Sequence, residues 1–236
     1  MNKKKKQSIR NQKSEFKSEL EEKELRKLNI DKLTRLFMNN INEQTLKLIE
    51  GIEFLIVEDF DNFKENLNYV IETRTEIQIK KAFESKIWKS KLMFSKADRL
   101  KLFSKINDIK NIGEFISNKM LLYKVIFPDD KFKLRLGVIL KSLRNISNNI
   151  SNAVKLIGSD LSIAHDICEE IKEERRKMRN EEWKLLTRLW NYDMDYLSRT
   201  FLYLKELIEG IMMLADHIKD FSEYIQFLAT KYLIFD

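Results

Sequence analysis

Carboxylate pairs placed one helical turn apart are the residues of this sequence that could do chemistry. Asp216 and Asp220 stand four residues apart in the stretch LADHIKDF, inside a segment with a helical pattern. Residues at this spacing project from the same face of a helix. The same spacing recurs in two other helical segments, in the pairs Glu169/Glu173, Glu170/Glu174 and Glu72/Glu76. Because carboxylate oxygens bind hard cations, one candidate role is a site for a divalent or ferric metal ion, to which a second helix must contribute.

A solvated face is the alternative role for these pairs. If the buried seam of the last helix passes through Ile211, Leu214 and Ile218, Asp216 lies roughly 170° from it at 100° per residue. Charged residues dominate the outer faces of amphipathic helices, and such a stripe needs no ligand. The acids of segment 168–184 are interleaved with Lys and Arg, which favours a helix surface carrying weak ion pairs. The residues alone leave both interpretations open.

Residues typical of catalysis are scarce in this chain. His165 and His217 fall in different predicted helices, and Cys168 is the single cysteine. One cysteine forms no intramolecular disulfide, and on an amphipathic helix it is interpreted as a small packed hydrophobe. The sequence contains no Gly-rich phosphate loop, no G-x-S-x-G and no H-E-x-x-H motif. We therefore expect a protein that is not an enzyme.

The elements that must position these residues are predicted to be long helices. The chain has 236 residues, 43% hydrophobic and 34% charged, but only 5 Gly and 1 Pro. So few turn-forming residues favour helices joined by short turns. Pro128 marks a break in the middle, with three predicted helices on each side, of which the second starts after EDFDN and runs to about Phe94. The candidate N-caps are Ser95 or Asp98 for the third helix and Ser159 or Asp160 for the fifth.

An internal duplication agrees with this layout. The last helix has apolar residues at 207, 211, 214, 218, 221, 225 and 228, and subtracting 105 gives seven positions that are apolar except for Gly113. The predicted fold is all-α, with six long helices arranged as two tandem three-helix bundles. We predict a basic and partly disordered N-terminal tail over residues 1–29, a first three-helix unit over 30–127 and a second over 131–236.

The net charge of +7 is concentrated at the N-terminus. Residues 1–13 carry six basic residues and no acid, which leaves +1 for the rest of the chain. We therefore expect no specific nucleic-acid binding; the Lys3–Lys6 run either solubilises the tail or touches anionic surfaces non-specifically. No apolar run reaches the roughly 18–20 residues that span a membrane, and no secretory signal follows the lysines, so we predict a cytoplasmic protein.

Two segments resemble a known family. INDIKNIGEF and IEGIMMLADHIKDFSEY, in the third and sixth predicted helices, resemble the PhoU-like phosphate-transport regulators. The resemblance is closer to the subgroup that accompanies Pit-type phosphate transporters, and it covers roughly residues 30–236. It implies two three-helix bundles with acidic motifs on their outer faces, which hold metal clusters in some members. It also implies a cytoplasmic accessory that acts on phosphate uptake.

The chain departs from the acidic motifs of this family. Where the motifs carry acids, this sequence has Met212 in the sixth helix and Asn107 and Asn111 in the third. An asparagine oxygen can bind a cation but carries no charge to offset one. The ligands that the resemblance still implies are Asp216, Asp220, Glu170, Glu174, Glu72 and Glu76.

The function predicted from these observations is a non-enzymatic accessory of inorganic phosphate transport. It would act through helix-surface contacts with the cytoplasmic face of a Pit-type membrane transporter, and it could sit peripherally at the membrane. One alternative is a helical scaffold or adaptor without a link to phosphate. Another is weak polyanion binding through the Lys3–Lys6 tail. The sequence leaves open whether the chain forms a homo-oligomer.

Overall fold

A computed structural model describes residues 23–73, 75–88, 94–195 and 197–233, with the backbone alone for residues 75 and 76. Within these ranges the chain forms seven helices of 13 residues or more, and no strand. They are α1 (Ile30–Ile56), α2 (Phe60–Glu72), α3 (Thr75–Ile87), α4 (Lys96–Met120), α5 (Asp130–Leu156), α6 (Leu161–Trp190) and α7 (Arg199–Leu233). The predicted all-α fold is confirmed. Residues 1–22 of the predicted tail lie outside the described residues.

Side-chain caps explain where most of these helices begin. At five helix starts, the side chain of the N-cap residue accepts a hydrogen bond from the backbone N–H three residues later, which satisfies one of the free donors of the first turn. These residues are Asn29, Asp59, Ser95, Asp129 and Asp160. Of the alternatives predicted from the sequence, Ser95 and Asp160 are the caps.

The second predicted helix is interrupted, which corrects the number of helices from six to seven. α2 ends at Glu72, Thr73 has extended backbone angles (φ −66°, ψ 118°), and α3 begins at Thr75. The hydroxyl of Thr73 donates to the carbonyl oxygen of Tyr69 at 2.6 Å. Thr73 and Thr75 are β-branched and lower the helix propensity at this point. The helical backbone is therefore interrupted, although the apolar periodicity of the sequence continues through the interruption.

Two sets of helices pack into one continuous core. α2, α3 and α4 contact α1, whereas α6 and α7 contact α5 and each other. α1 also packs on α5 and α4 packs on α7, so buried side chains run through both sets. The division into two three-helix units at Pro128 remains a prediction.

The junction between α1 and α5 agrees with a duplicated chain. The Ser147 hydroxyl donates to Asn42 Oδ1 at 2.7 Å, and the Asn42 amide donates to Asn148 at 3.2 Å. Asn42 and Ser147 are 105 residues apart, the offset that superimposes the apolar patterns. A duplicated chain with two-fold related halves would place such a contact near the axis between them. The duplication itself stays a prediction.

Candidate functional site

The neighbourhood of Asp216 contains a buried arginine. Arg175 on α6 is 4% exposed, and its Nε and Nη2 each donate to one carboxylate oxygen of Asp216 on α7, both at 2.9 Å. This bidentate geometry gives a strong charge-assisted hydrogen bond. It engages both oxygens of Asp216, although 45% of that side chain remains exposed.

Glu182 brings a second carboxylate to the same guanidinium group. Its Oε2 lies 3.8 Å from Nη2 of Arg175, and 18% of its side chain is exposed. The pKa of Glu182 is raised above its ordinary value, mainly because the carboxyl group is buried. The carboxylate of Asp216 also raises this pKa, whereas Arg175 and Arg179 partly offset the rise. Among the described residues, Nη1 of Arg175 is buried without a hydrogen-bond partner. One buried cation and two carboxylates therefore join α6 to α7.

Arg175 occupies a position that the helical period gives to core residues. The buried residues of α6 recur every three or four positions and are Leu161, Ala164, Cys168, Ile171, Arg175, Met178, Leu185 and Leu189. Glu182 continues this spacing between Met178 and Leu185. A buried arginine must be paired, so two charged residues on the apolar seam are the signal that the sequence analysis missed when it assigned them to a solvated surface.

The other acids on α7 fit the solvated interpretation. Glu209, Asp220 and Glu223 are about half exposed. Glu209 pairs with Lys205 at 2.6 Å, and Glu223 pairs with Lys219 at 3.0 Å. Exposed pairs of this kind contribute little to stability. Asp216 is about as exposed, at 45%, and differs in its partner, because Arg175 is 4% exposed whereas the lysines that pair with the other acids are partly exposed.

Glu170 and Glu174 lie apart from Asp216, in a groove between α5 and α6. Glu174 accepts a hydrogen bond from Ser142 at 2.6 Å, and Glu170 accepts one from Asn149 at 3.4 Å. The groove has a volume of about 780 Å³ and is lined by Asn145, Asn148, Asn149, Glu169, Glu170, Glu173, Glu174, Arg176 and Lys177. α6 thus directs these two carboxylates toward α5, while Arg175 faces α7. The structure does not bring the four predicted residues of the second half together.

The pair Glu72 and Glu76 does not share one helix. Glu72 is the last residue of α2, and Glu76 falls in the first turn of α3, after the interruption. The Glu76 side chain lies outside the described residues, and Glu72 is exposed. The same-face prediction for this pair is therefore wrong, because it required a continuous helix.

The residues around Asp216 do not fit a bound metal ion. Both of its oxygens already accept hydrogen bonds from Arg175, and a cation would have to displace that charge. In the part of the chain that the structure describes, no three side chains of His, Cys, Asp or Glu converge as a metal site. Met212 is buried, Asn107 is half-buried and Asn111 is exposed. A metal site at Glu170 and Glu174 stays a prediction.

A separate carboxylate fixes the start of α4 to the end of α7. The side chain of Asp98 accepts hydrogen bonds from Lys231 at 2.7 Å, Tyr232 at 2.6 Å and Ser95 at 2.8 Å. Burial alone would raise the pKa of Asp98, but these three donors outweigh it and lower the pKa to about 2. The Tyr224 hydroxyl also donates to the Asp98 carbonyl oxygen at 3.2 Å. This cluster joins helices that are far apart in sequence.

Known structures share this arrangement of helices. A crystal structure of a PhoU-like protein from Shewanella oneidensis MR-1 matches with a TM-score of 0.75 at 12% sequence identity, over 86% of this chain and 100% of that one. This chain has the PhoU-like fold. A second structure from the same organism, described as a PhoU-like phosphate regulatory protein, matches with a TM-score of 0.71 at 12% identity and the same coverage. No protein-family model and no curated protein sequence matches the chain.

At this identity, the comparison establishes the PhoU-like fold and leaves the roles of individual residues to the contacts of this chain. The resemblance seen in the sequence is thus confirmed for the architecture. The regulatory role belongs to the Shewanella protein so described, and the Pit-accessory subgroup is a finer assignment than the fold supports.

Proposed function

We propose that this chain is a non-enzymatic regulator of inorganic phosphate transport that acts on a Pit-type transporter from the cytoplasmic side of the membrane. The observation that carries the proposal is the PhoU-like fold, which spans the full length of both Shewanella proteins, one of them described as a phosphate regulatory protein. In the described ranges, no helix is both long and apolar enough to cross a membrane.

The chemistry of the buried groups supports a binding role over catalysis. Cys168 is buried on α6, and burial raises the pKa of its thiol to about 12, so the nucleophilic thiolate does not form at neutral pH. Both carboxylate oxygens of Asp216 are engaged by Arg175. This pair and the cluster around Asp98 link helices of the chain.

Phosphate uptake in a deletion strain tests the proposal. We expect the initial rate of radiolabelled phosphate uptake to change when the gene is deleted and to return when the full chain is supplied. A matched negative control supplies the chain with Leu143→Asp, because Leu143 is fully buried and a carboxylate there prevents folding. An uptake rate that is the same with and without the protein, in both phosphate-rich and phosphate-poor medium, would reject the proposal.

A helical adaptor without a phosphate link is the second candidate. The observation in its favour is the number of large apolar side chains that remain exposed, including Trp183 at 63% and Trp190 at 59%. Exposed tryptophans are frequent contact residues in protein interfaces. Unchanged phosphate uptake together with a stable protein partner unrelated to transport would favour this candidate.

A further inference from the structure

One end of the helical bundle exposes an unusual set of apolar side chains. This surface, here called the apolar end, consists of the α1–α2 turn (residues 57–59), the α4–α5 linker (121–129), the first turns of α5 and the described part of the α6–α7 loop (190–195 and 197–198). Its most exposed side chains are Val57 (69%), Leu122 (83%), Ile126 (63%), Leu134 (72%), Trp190 (59%) and Leu197 (68%).

Contacts through the α4–α5 linker make these segments one surface. Lys124 of the linker lies 3.7 Å from the ring centroid of Phe60 at the start of α2. Tyr123 packs edge-on against Tyr203 of α7, with ring centroids 5.9 Å apart. At the other end of the linker, Asp129 accepts hydrogen bonds from Arg188 and Tyr192 beside the α6–α7 loop. The linker therefore touches each neighbouring connection.

The side chains of the linker point alternately into the core and outward, as they do in a β-strand, although the linker pairs with no strand among the described residues. Val125 and Phe127 point into the core and are 1% and 4% exposed, whereas Leu122 and Ile126 point outward. Packing against the bundle requires only the inward residues, so the outward residues are apolar without a partner among the residues that the structure describes. A single exposed leucine is ordinary, but a group of apolar side chains on one surface marks an interaction site.

The opposite end of the bundle does not share this property. There, among the described residues, Trp88 is the one large hydrophobic side chain exposed by more than 59%, at 66%. Ile163 and Phe227, also near that end, are 49% and 55% exposed.

The charge around the apolar end selects the kind of partner. Segments 57–61, 121–135 and 190–199 contain five basic and seven acidic residues, a net charge of −2, whereas the chain outside residues 1–13 carries +1. Arg188, which pairs with Asp129 just before the last segment, reduces this to −1. The acids are Glu58, Asp59, Asp61, Asp129, Asp130, Asp193 and Asp195. An acidic surface is repelled by anionic lipid, but it complements the Lys and Arg that are enriched in the cytoplasmic loops of membrane proteins.

We propose that the apolar end is the surface that docks onto the cytoplasmic face of the phosphate transporter. The inference rests on the proposed function and specifies where the contact lies: at the tip of the bundle, where Leu122 and Ile126 enter an apolar part of the transporter surface. The acidic rim, including Asp193, faces basic loops. An apolar centre within a charged rim is the usual anatomy of a protein interface.

Vesicle binding tests this contact. Inside-out membrane vesicles carrying the overproduced Pit-type transporter of the source organism are mixed with purified protein, and the bound fraction is measured by sedimentation. The double variant Leu122→Gln/Ile126→Gln should bind at least about tenfold more weakly than the natural chain, because it removes two exposed anchors. The matched control Ile163→Gln/Phe227→Gln, at the opposite end, should bind normally. Asp193→Lys should weaken binding more at low than at high salt.

Three outcomes would overturn the proposal. The first is equal binding by the double variant and the natural chain. The second is equal binding to protein-free liposomes of the same phospholipids, which would assign the surface to lipid. The third is a dimer in solution that Leu122→Gln/Ile126→Gln dissociates, which would assign the surface to a second copy. The proposed function fails separately, when gene deletion leaves uptake unchanged; if uptake changes but the double variant restores regulation, the docking surface alone is wrong.

Discussion

The pair Arg175–Asp216 allows a sharp test of the roles assigned to the residues of α7. Substituting Asp216→Ala removes the carboxylate and leaves a guanidinium group that is 4% exposed, with Glu182 at 3.8 Å as its remaining acidic neighbour. Breaking a buried ion pair from one side costs about 3–5 kcal/mol. Because Asp216 is itself 45% exposed and Glu182 can approach, we expect a loss of about 2–3 kcal/mol in the free energy of unfolding.

The reverse substitution should be much milder. Arg175→Met places an apolar side chain of similar length on the seam between Ile171 and Met178, and it leaves the Asp216 carboxylate free to be hydrated. We expect a loss of no more than about 1 kcal/mol. The double variant Arg175→Met/Asp216→Ala should be about as stable as Arg175→Met alone, since the carboxylate has no charge left to compensate.

Urea unfolding followed by circular dichroism measures these differences. Asp220→Ala is the matched control: it lies one turn later on α7, is about half exposed, and makes only an exposed contact with Lys219 at 3.4 Å. Its effect should stay within about 0.5 kcal/mol, and the helix propensity gained with alanine is the same in both variants. A loss below about 0.5 kcal/mol for Asp216→Ala, or a larger loss for Arg175→Met than for Asp216→Ala, would refute the reasoning. The ranking of the variants by their loss in the free energy of unfolding should be the same with and without EDTA. If Asp216 bound a metal ion, the chelator would change this ranking.

Three further predictions follow from other contacts. The lowered pKa of Asp98 means that its ionised form contributes about 2 kcal/mol; this stability is complete above about pH 4 and is lost as the pH falls toward about 2. The Asp98→Asn variant should lack this loss in acid unfolding curves, and an unchanged curve would contradict the assignment. Glu58 has a positive φ of 65°, so Glu58→Gly should raise the free energy of unfolding by about 0.5–1 kcal/mol, and a lower melting temperature would count against strain there. Protein purified without chelator should carry well under one metal ion per chain by elemental analysis; a stoichiometric metal that disappears in Glu170→Gln/Glu174→Gln would show that the groove between α5 and α6 holds one.

The outline of the fold could be predicted because its signals are local. Ser95 and Asp160 were among the candidate caps, and both cap a helix in the structure. Helix caps depend on contacts within about one helical turn, so the sequence around each helix start predicts them. The interruption at Thr73 was not predicted because the spacing of apolar residues indicates which face is buried. It does not indicate whether the backbone stays helical between two successive turns.

The candidate site was harder to predict because residue type conflicted with residue position. The charged residues around Arg175 and Glu182 favour a solvated surface, whereas their spacing from Ile171 and Met178 puts them on the buried side of α6. The apolar end could not be predicted either. Leu122 and Val125 are both apolar residues of one linker, and only packing makes one exposed and the other buried.

The sequence by itself determined that this protein is built of long helices and where several of them begin, since helical hydrogen bonds join residues four apart and apolar periodicity repeats within each helix. The tertiary structure alone decided that Arg175 meets Asp216, 41 residues later, and that Glu170 and Glu174 face a different helix. It also decided that the connections at one end share a single surface. The physical reason is that a carboxylate has the same chemistry in a solvated stripe, a metal site or an ion pair. Its role depends on which helix lies opposite.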